Sequence, residues 1–164
     1  MTATTPLGEV IRDANGIRLE FVRTFPDPID RVWAAITDPD ELAKWYGTWR
    51  GDPSTGHIEL RSMEGDGTFE STEVVECDRP HRWRSCCRPR TGRGQVSITL
   101  SESDGLTTLV FVHRLAEPYD AGSIGPGWHF YLDRLAAAIQ GDTMPQFEDW
   151  SSYEPLGSDY QLPG

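Results

Sequence analysis

The chain has 164 residues, with 15 Lys plus Arg against 26 Asp plus Glu, and a net charge of -11 at pH 7. This length suits one domain with an ordinary hydrophobic core, and the acidic balance argues against binding to nucleic acid or to an anionic membrane surface. The three cysteines, Cys77, Cys86 and Cys87, lack C-x-x-C spacing, so neither a disulfide framework nor a zinc cluster is predicted.

Residues 1–16 are polar and are interrupted by Pro6 and Gly16, so we expect a flexible lead-in. The first ten residues have no basic segment followed by an apolar one, and no stretch approaches the roughly 20 apolar residues of a membrane span. A cytoplasmic location with reduced thiols is therefore expected.

Residues 17–25 alternate between apolar and polar side chains, which predicts a strand with one buried face. Arg23 shares the apolar parity. It can either reach into a pocket or pair with a carboxylate at the strand end.

Two short helices are predicted next, because Asp27-Pro28 and Asp38-Pro39 each combine a capping side chain with a proline suited to the first helical position. Gly47 is expected to end the second helix. Trp45 and Trp49 flank this glycine, and large apolar groups there either plug the core or rim a cavity.

Strand patterns follow at 57–63, 68–76, 81–88, 95–102 and 107–115. The connections are short, which predicts an antiparallel meander because a parallel crossover needs a dozen or more residues.

A long helix is predicted over 126–140, with Pro126 in its first turn and Gly141 as its left-handed C-terminal cap. Its apolar stripe has helical spacing and comprises Trp128, Tyr131, Leu132, Leu135, Ala136 and Ile139. An acidic tail, 142–164, follows. Six arginines lie within 79–93; they can hold an anion or form a solvated hairpin. An acidic tail folded over this hairpin would explain both features without any ligand.

Several segments resemble proteins known as activator of heat-shock-protein ATPase homologues, in the START-like (SRPBCC) superfamily. The matching runs extend from Arg23 to Trp33, from Thr37 to Trp45 and from Glu76 to Trp83, and Gly127-Trp128 with the apolar positions behind it is similar to the C-terminal helix. This resemblance implies an α+β helix-grip fold over 17–141. Such a fold is a curved antiparallel sheet of about six strands wrapped around a long C-terminal helix, with two short helices between the first and second strands.

The resemblance also implies a cavity between sheet and long helix, usually for an apolar molecule. His113 has the inward parity of the last strand, where it is either a hydrogen-bonded structural histidine or a donor inside the cavity. We predict that the ligand contacts Trp45, Trp49, Phe69, Glu73, Trp83, Phe111, His113, Trp128 and Leu132.

The predicted function is binding of a small, mainly apolar molecule by a monomer or homodimer, without nucleic acid, membrane, cofactor or metal. One alternative is an enzyme of cyclase or hydratase type, with His113, Glu73 and Arg23 as acid/base candidates. A second alternative is a protein-interaction module like the co-chaperones of the family name. No phosphate loop, nucleophile elbow or H-E-x-x-H motif is present, and no catalytic residue is assigned.

Overall fold

The computed structural model describes residues 8–64, 66–87, 94–117 and 119–163. Within these ranges the elements are β1 (Glu9–Asp13), β2 (Gly16–Phe25), α1 (Ile29–Thr37), α2 (Pro39–Leu42), β3 (Gly47–Asp52), β4 (His57–Ser62), β5 (Glu70–Asp78), β6 (Arg82–Cys87), β7 (Gln95–Ser103), β8 (Leu106–Arg114) and α3 (Ala121–Gln140). The strands form one antiparallel sheet in the order β1-β2-β8-β7-β6-β5-β4-β3.

The helix α3 packs across one face of this sheet and forms the main core with it. The buried side chains alternate along β2 and β8, as period-2 patterning requires, and they meet Phe130, Leu132 and Leu135 of α3, all 2 % exposed or less. The predicted helix-grip α+β fold is confirmed, with eight strands in the sheet rather than about six.

The extra strand at one edge is β1, which lies within the expected lead-in and corrects that prediction for 9–13. Residues 9–13 pair with 16–20 across a two-residue turn at Ala14-Asn15, which Gly16 follows. Gly16 has φ 117°, and both terminal nitrogens of Arg114 bind the Asp13 carboxylate at 2.9 and 3.1 Å. Residues 1–7 of the lead-in lie outside the described ranges.

The extra strand at the other edge is β3, where a loop was expected. The helix α2 ends at Leu42, so Gly47 begins a strand instead of closing the helix. This strand pairs with β4 and carries Trp49 opposite Leu60. Because β3 is part of the sheet, Trp49 is held by strand pairing rather than by a loop.

The caps of the two short helices differ from each other. Asp38 caps α2 as predicted, since its side chain accepts from the backbone N–H groups of Asp40 and Glu41. Asp27 does not cap α1. The first helical nitrogen of α1, at Ile29, instead donates to the Glu102 carboxylate of β7 at 2.8 Å, because α1 lies against the end of that strand.

The long helix begins earlier than predicted. Asp120 accepts from the Ser123 N–H at its N-terminus, Pro126 lies inside the helix, and Gly141 closes it in the left-handed conformation as expected. The start was missed because three glycines and a proline within 122–127 lower helix propensity there.

Residues 142–163, the C-terminal segment, pack along α3 and reach the inner face of β2, where the Tyr160 ring lies 6.0 Å from that of Phe21. Rings of Phe147, Trp150 and Tyr153 pack around Phe130 with centroids 5.2–5.9 Å apart. Tyr160 lies against Gly125, where an added Cβ would stand 2.5 Å from its ring. The helix is therefore buried on two sides, which explains why His129 and Phe130, outside the predicted stripe, are also buried.

Candidate functional site

A cavity of about 730 Å³ lies between the sheet and α3, beside the two short helices. Its inner wall is largely aromatic, as ligand pockets commonly are. The rings that line it are Trp45, Tyr46, Trp49, Trp83, Phe111, Trp128, Phe130, Tyr131, Phe147 and Trp150.

Trp128 of α3 is the centre of the aromatic wall. Its ring stacks on Tyr46 at 5.7 Å and packs on Phe111 at 4.4 Å between centroids, and its indole nitrogen donates to His113 Nδ1 at 2.9 Å. The indole thus contacts the sheet through Phe111 and His113 and the turn after α2 through Tyr46.

The contact with Trp128 also defines the state of His113. Because Nδ1 accepts from the indole, the neutral imidazole carries its hydrogen on Nε2. His113 is 7 % exposed and lines the cavity. It is therefore the hydrogen-bonded structural histidine of the first alternative, and it also lies in the cavity wall. Its role as a donor toward a ligand stays a prediction.

Trp45 and Trp49 are held by the carboxyl end of α1. Their indole nitrogens donate to the carbonyl oxygens of Ala35 and Thr37, each at 2.8 Å. The N–H group of each indole is thereby satisfied by the backbone, leaving the apolar surface of the ring for the wall. The structure brings both rings, with His113, onto one cavity.

Polar side chains gather at one end of the cavity, in the β4–β5 loop and at the start of β5. They are Ser62, Glu64, Asp66, Thr68, Glu70 and Thr72. Four of these residues, Glu64, Asp66, Thr68 and Glu70, are exposed, so this end of the cavity reaches the surface.

Three residues predicted to contact a ligand do not line the cavity: Phe69, Glu73 and Leu132. Leu132 is core, 1 % exposed. Phe69 and Glu73 were given the wrong parity, because Thr72 and Val74 are the buried positions of β5 and a shift of one residue reverses the faces of a strand. Phe69 lies instead beneath the guanidinium groups of Arg50 and Arg61, 3.9 and 4.8 Å from its ring centroid.

The three acid/base candidates, His113, Glu73 and Arg23, do not lie together. Glu73 is exposed, and Arg23 lines no part of the cavity. Arg23 is buried between β2 and α3, where burial lowers the pKa of its guanidinium. Nearby, Tyr153 donates to the Asp133 carboxylate at 2.8 Å, and burial lowers the pKa of His129 although the Asp133 charge opposes this. These groups form a separate polar cluster under the C-terminal segment.

In the described part of the chain the C-terminal segment packs against α3, and the tail folded over the basic hairpin is not found at Arg82 and Arg84. Its Phe147 and Trp150 form part of the cavity wall, while Arg82 and Arg84 pair with Glu76 of the neighbouring strand. Aromatic burial against α3 outweighs the attraction between exposed charges, which contributes little in water. Arg88, Arg90 and Arg93 lie outside the described residues.

Sequence reasoning missed Tyr46, Tyr131 and the whole contribution of the C-terminal segment to the cavity. Tyr131 could have been found, since it lies one turn after Gly127-Trp128 on the same helical face. Phe147 and Trp150 lie three residues apart on the 3-10 helix Phe147–Ser152, which places their rings on one side, but no sequence signal shows where this short helix packs.

The described part of the chain contains no cluster of His, Cys, Asp or Glu side chains able to hold a metal ion. None of its helices combines the length and apolar character needed to cross a bilayer.

The fold and the cavity place the chain in a class of helix-grip proteins, and comparison with known families gives the assignment. Residues 27–140 match the family described as "Activator of Hsp90 ATPase homolog 1-like protein". The chain belongs to this family, within the START-like superfamily. The resemblance recognised from the sequence is therefore confirmed. No curated protein is significantly similar to the chain.

Three solved structures share the fold over between 75 % and 96 % of this chain. CalU16 from Micromonospora echinospora is 23 % identical, with 96 % of each chain covered and a TM-score of 0.75. A conserved protein of unknown function from Enterococcus faecalis, EF2215, is 18 % identical over 93 % of this chain and 88 % of that one, with a TM-score of 0.74. DynU16, described as a putative protein in the dynemicin biosynthetic locus, is 27 % identical over 75 % of this chain and 47 % of its own, with a TM-score of 0.63.

Proposed function

We propose that the chain binds a small, mainly apolar molecule with a flat ring system in the cavity between the sheet and α3. The aromatic lining of the cavity is the observation that carries this proposal. A domain whose interior was filled by its own side chains would favour a protein-interaction module instead. An unfilled space of about 730 Å³ with polar groups converging at one end supports a ligand.

Affinity would come mainly from burial of apolar surface, at roughly 25 cal/mol per Å². Flat rings suit this wall because Tyr46 and Trp128 already stack, with 19° between their planes, and offset stacking is a favoured aromatic geometry. Few side chains in the aromatic part of the cavity can distinguish one ligand from another by hydrogen bonding. We therefore expect the cavity to accept ring systems of various shapes.

The expected result with anthracenemethanol, a fluorescent three-ring compound, is saturable binding that Trp49→Ala weakens about tenfold. Trp49 is half-buried and lines the cavity, so its removal takes away a stacking surface while leaving the core intact. A tenfold change corresponds to about 1.4 kcal/mol, within reach of a lost ring contact and its burial.

The matched control is Phe69→Ala, which removes an aromatic ring on the outer side of the same sheet edge. We expect Phe69→Ala to bind anthracenemethanol as the wild type does. Absence of saturable binding to the wild type, or equal affinity in all three proteins, would contradict the proposal.

A second candidate is an enzyme of cyclase or hydratase type acting in the same cavity. Support comes from His113 and from the carboxylates that line the cavity, and from the description of DynU16, which associates that protein with a biosynthetic locus. We propose binding first because only His113 of the three acid/base candidates lines the cavity. A cytoplasmic location and a monomeric or homodimeric state complete the proposal.

A further inference from the structure

The second half of the C-terminal segment is held firmly to α3. Its 3-10 helix, Glu154–Asp159, packs along α3, and the rings at the two ends of this helix, Tyr153 and Tyr160, are 6 % and 2 % exposed. The Tyr153 hydroxyl donates to the Asp133 carboxylate at 2.8 Å, and the Tyr160 hydroxyl accepts from the Gly8 N–H at 3.0 Å. Movement of this half would break packing and hydrogen bonds together.

Residues 146–152, which we call the flap, are held differently. In the described part of the chain their hydrogen bonds stay within the C-terminal segment: the Gln146 N–H donates to the Asp149 carboxylate at 2.8 Å, and the Asp149 N–H donates to the Gln146 carbonyl oxygen at 2.9 Å. The aromatic contacts of the flap with α3 come from the rings of Phe147 and Trp150. Because apolar contacts are not directional, the flap can leave α3 without losing a hydrogen bond.

The flap is also part of the cavity wall. Phe147 and Trp150 line the cavity, yet Phe147 is 46 % exposed, and Glu148 and Asp149 between the two rings are exposed as well. The flap is therefore the layer between this part of the cavity and solvent.

The place where the cavity reaches the surface adjoins the flap. The Phe147 ring packs on the Tyr131 ring, with 6.5 Å between centroids. Burial and the neighbouring Glu64 carboxylate raise the pKa of the Tyr131 phenol, and Glu64 is one of the exposed residues at the open end. The flap thus forms one lip of the opening, and its displacement would widen the opening toward the aromatic wall.

The two ends of the flap are fixed while its middle is not. Before it, the carbonyl oxygen of Pro145 accepts from the Arg134 guanidinium, and after it Tyr153 is tied to Asp133. Local opening is governed by the buried contacts and hydrogen bonds that must be broken, and the flap has fewer of them than either end. It is the part of the cavity wall that opens at the lowest cost.

We propose that the flap opens as a unit while residues 153–160 stay on α3, and that this opening admits ligands to the cavity. The role in ligand entry rests on the proposed function, because it concerns access to that same site. The motion itself concerns the chain alone and is tested separately.

The motion is tested by hydrogen exchange of the ligand-free protein, measured by NMR at two matched amides. The Asp149 and Leu156 N–H groups each donate at 2.9 Å to a carbonyl oxygen of the C-terminal segment, the first inside the flap and the second beyond it. After correction for intrinsic rates, we expect Asp149 to exchange at least about tenfold faster than Leu156, because it opens with the flap. Equal protection of the two amides would overturn the flap.

Ligand entry is tested by stopped-flow binding of anthracenemethanol to Asp149→Ala. This change removes the acceptor of the Gln146 N–H and so loosens the flap, while Asp149 lines no part of the cavity. Loss of such a capping acceptor favours the open flap, so the association and dissociation rate constants should both rise about fivefold. The dissociation constant should stay within about twofold of the wild type, since the flap is loosened equally in the free and the bound protein.

Glu148→Ala is the matched control, because it removes the same charge from the neighbouring exposed position and leaves both hydrogen bonds between Gln146 and Asp149 in place. We expect its rate constants to stay within about twofold of the wild type, as for an ordinary surface change.

Unchanged rate constants in Asp149→Ala, or the same rise in Glu148→Ala, would overturn the role of the flap in ligand entry while leaving the proposed function standing. A changed dissociation constant with an unchanged association rate would overturn it as well, because the variant would then have altered the bound state alone. Failure of anthracenemethanol to bind would overturn the proposed function and ligand entry together, and the exchange of Asp149 against Leu156 would still decide whether the flap opens.

Discussion

Leu135→Ala is expected to lower the free energy of unfolding by about 2 to 5 kcal/mol, the range for large-to-small changes in a core. Leu135 is 0 % exposed and belongs to the core cluster that α3 forms with α1 and the sheet. The site has little freedom to collapse around the missing atoms. Urea unfolding measures the effect, provided that the slope with denaturant stays unchanged.

Gln140→Ala is the control on the same helix, because Gln140 is exposed and surface changes usually stay within about 0.5 kcal/mol. A Leu135→Ala effect as small as that of the control would contradict the assignment of this face to the core.

Gly47→Ala is expected to produce the second large effect, a loss of about 1 to 3 kcal/mol or more, as for overpacking of a well-packed site. A Cβ at Gly47 would stand 2.1 Å from the carbonyl oxygen of Arg61 and 2.8 Å from the Cα of Ser62. Both are backbone atoms of β4, so only separation of β3 from β4 relieves the contact. Thermal and urea unfolding measure the loss.

Gly127→Ala is the matched control, since nothing lies within 4 Å of a Cβ at that position and alanine is favoured over glycine in a helix by about 1 kcal/mol. We expect Gly127→Ala to be as stable as the wild type or more so. If Gly47→Ala has the same free energy of unfolding as the wild type, β3 does not pair with β4 in the register Gly47 to Ser62.

The sequence was sufficient for the elements whose patterns are local and regular. Alternation along 17–25 and 107–115, helical spacing after Gly127, and the cap at Asp38 all depend on near neighbours, and each is found in the structure. The overall fold followed because short connections leave an antiparallel meander and a single long helix few arrangements.

The edge strands were harder to predict, for a physical reason. In β3 the sequence GTWRGD has no clear alternation, and the strand forms because β4 offers it unpaired backbone groups. In β1 the pattern is only five residues long. The Asn15-Gly16 dipeptide, at the end of the turn, was the available sequence signal for the β1–β2 hairpin.

The cavity was partly predictable. Rings on regular elements could be placed from the pattern of their element, Trp128 from helical spacing and Phe111 from strand alternation. The face of the sheet to which each side chain of β5 points could not be predicted in this way. Its pattern is weak and its pairing with β6 shifts register between Val74 and Glu76, so Phe69 and Glu73 were assigned to the wrong face. The polar end of the cavity depends on the path of the β4–β5 loop, which the sequence does not specify.

If a small molecule occupies the space between the sheet and α3, a side chain that fills this space from the helix should prevent binding. Gly127 lines the cavity and faces open space, so a leucine side chain there would project among the aromatic rings without meeting backbone. Leucine is also a better helix former than glycine, which separates loss of binding from loss of folding.

The decisive measurement is the affinity of anthracenemethanol for the wild type, Gly127→Ala and Gly127→Leu, each verified by its unfolding curve. We expect Gly127→Ala to bind within about threefold of the wild type, and Gly127→Leu to remain at least as stable as the wild type while binding at least tenfold more weakly, a difference of about 1.4 kcal/mol. Wild-type affinity in a folded Gly127→Leu protein would contradict the account, because the ligand would then lie outside the cavity.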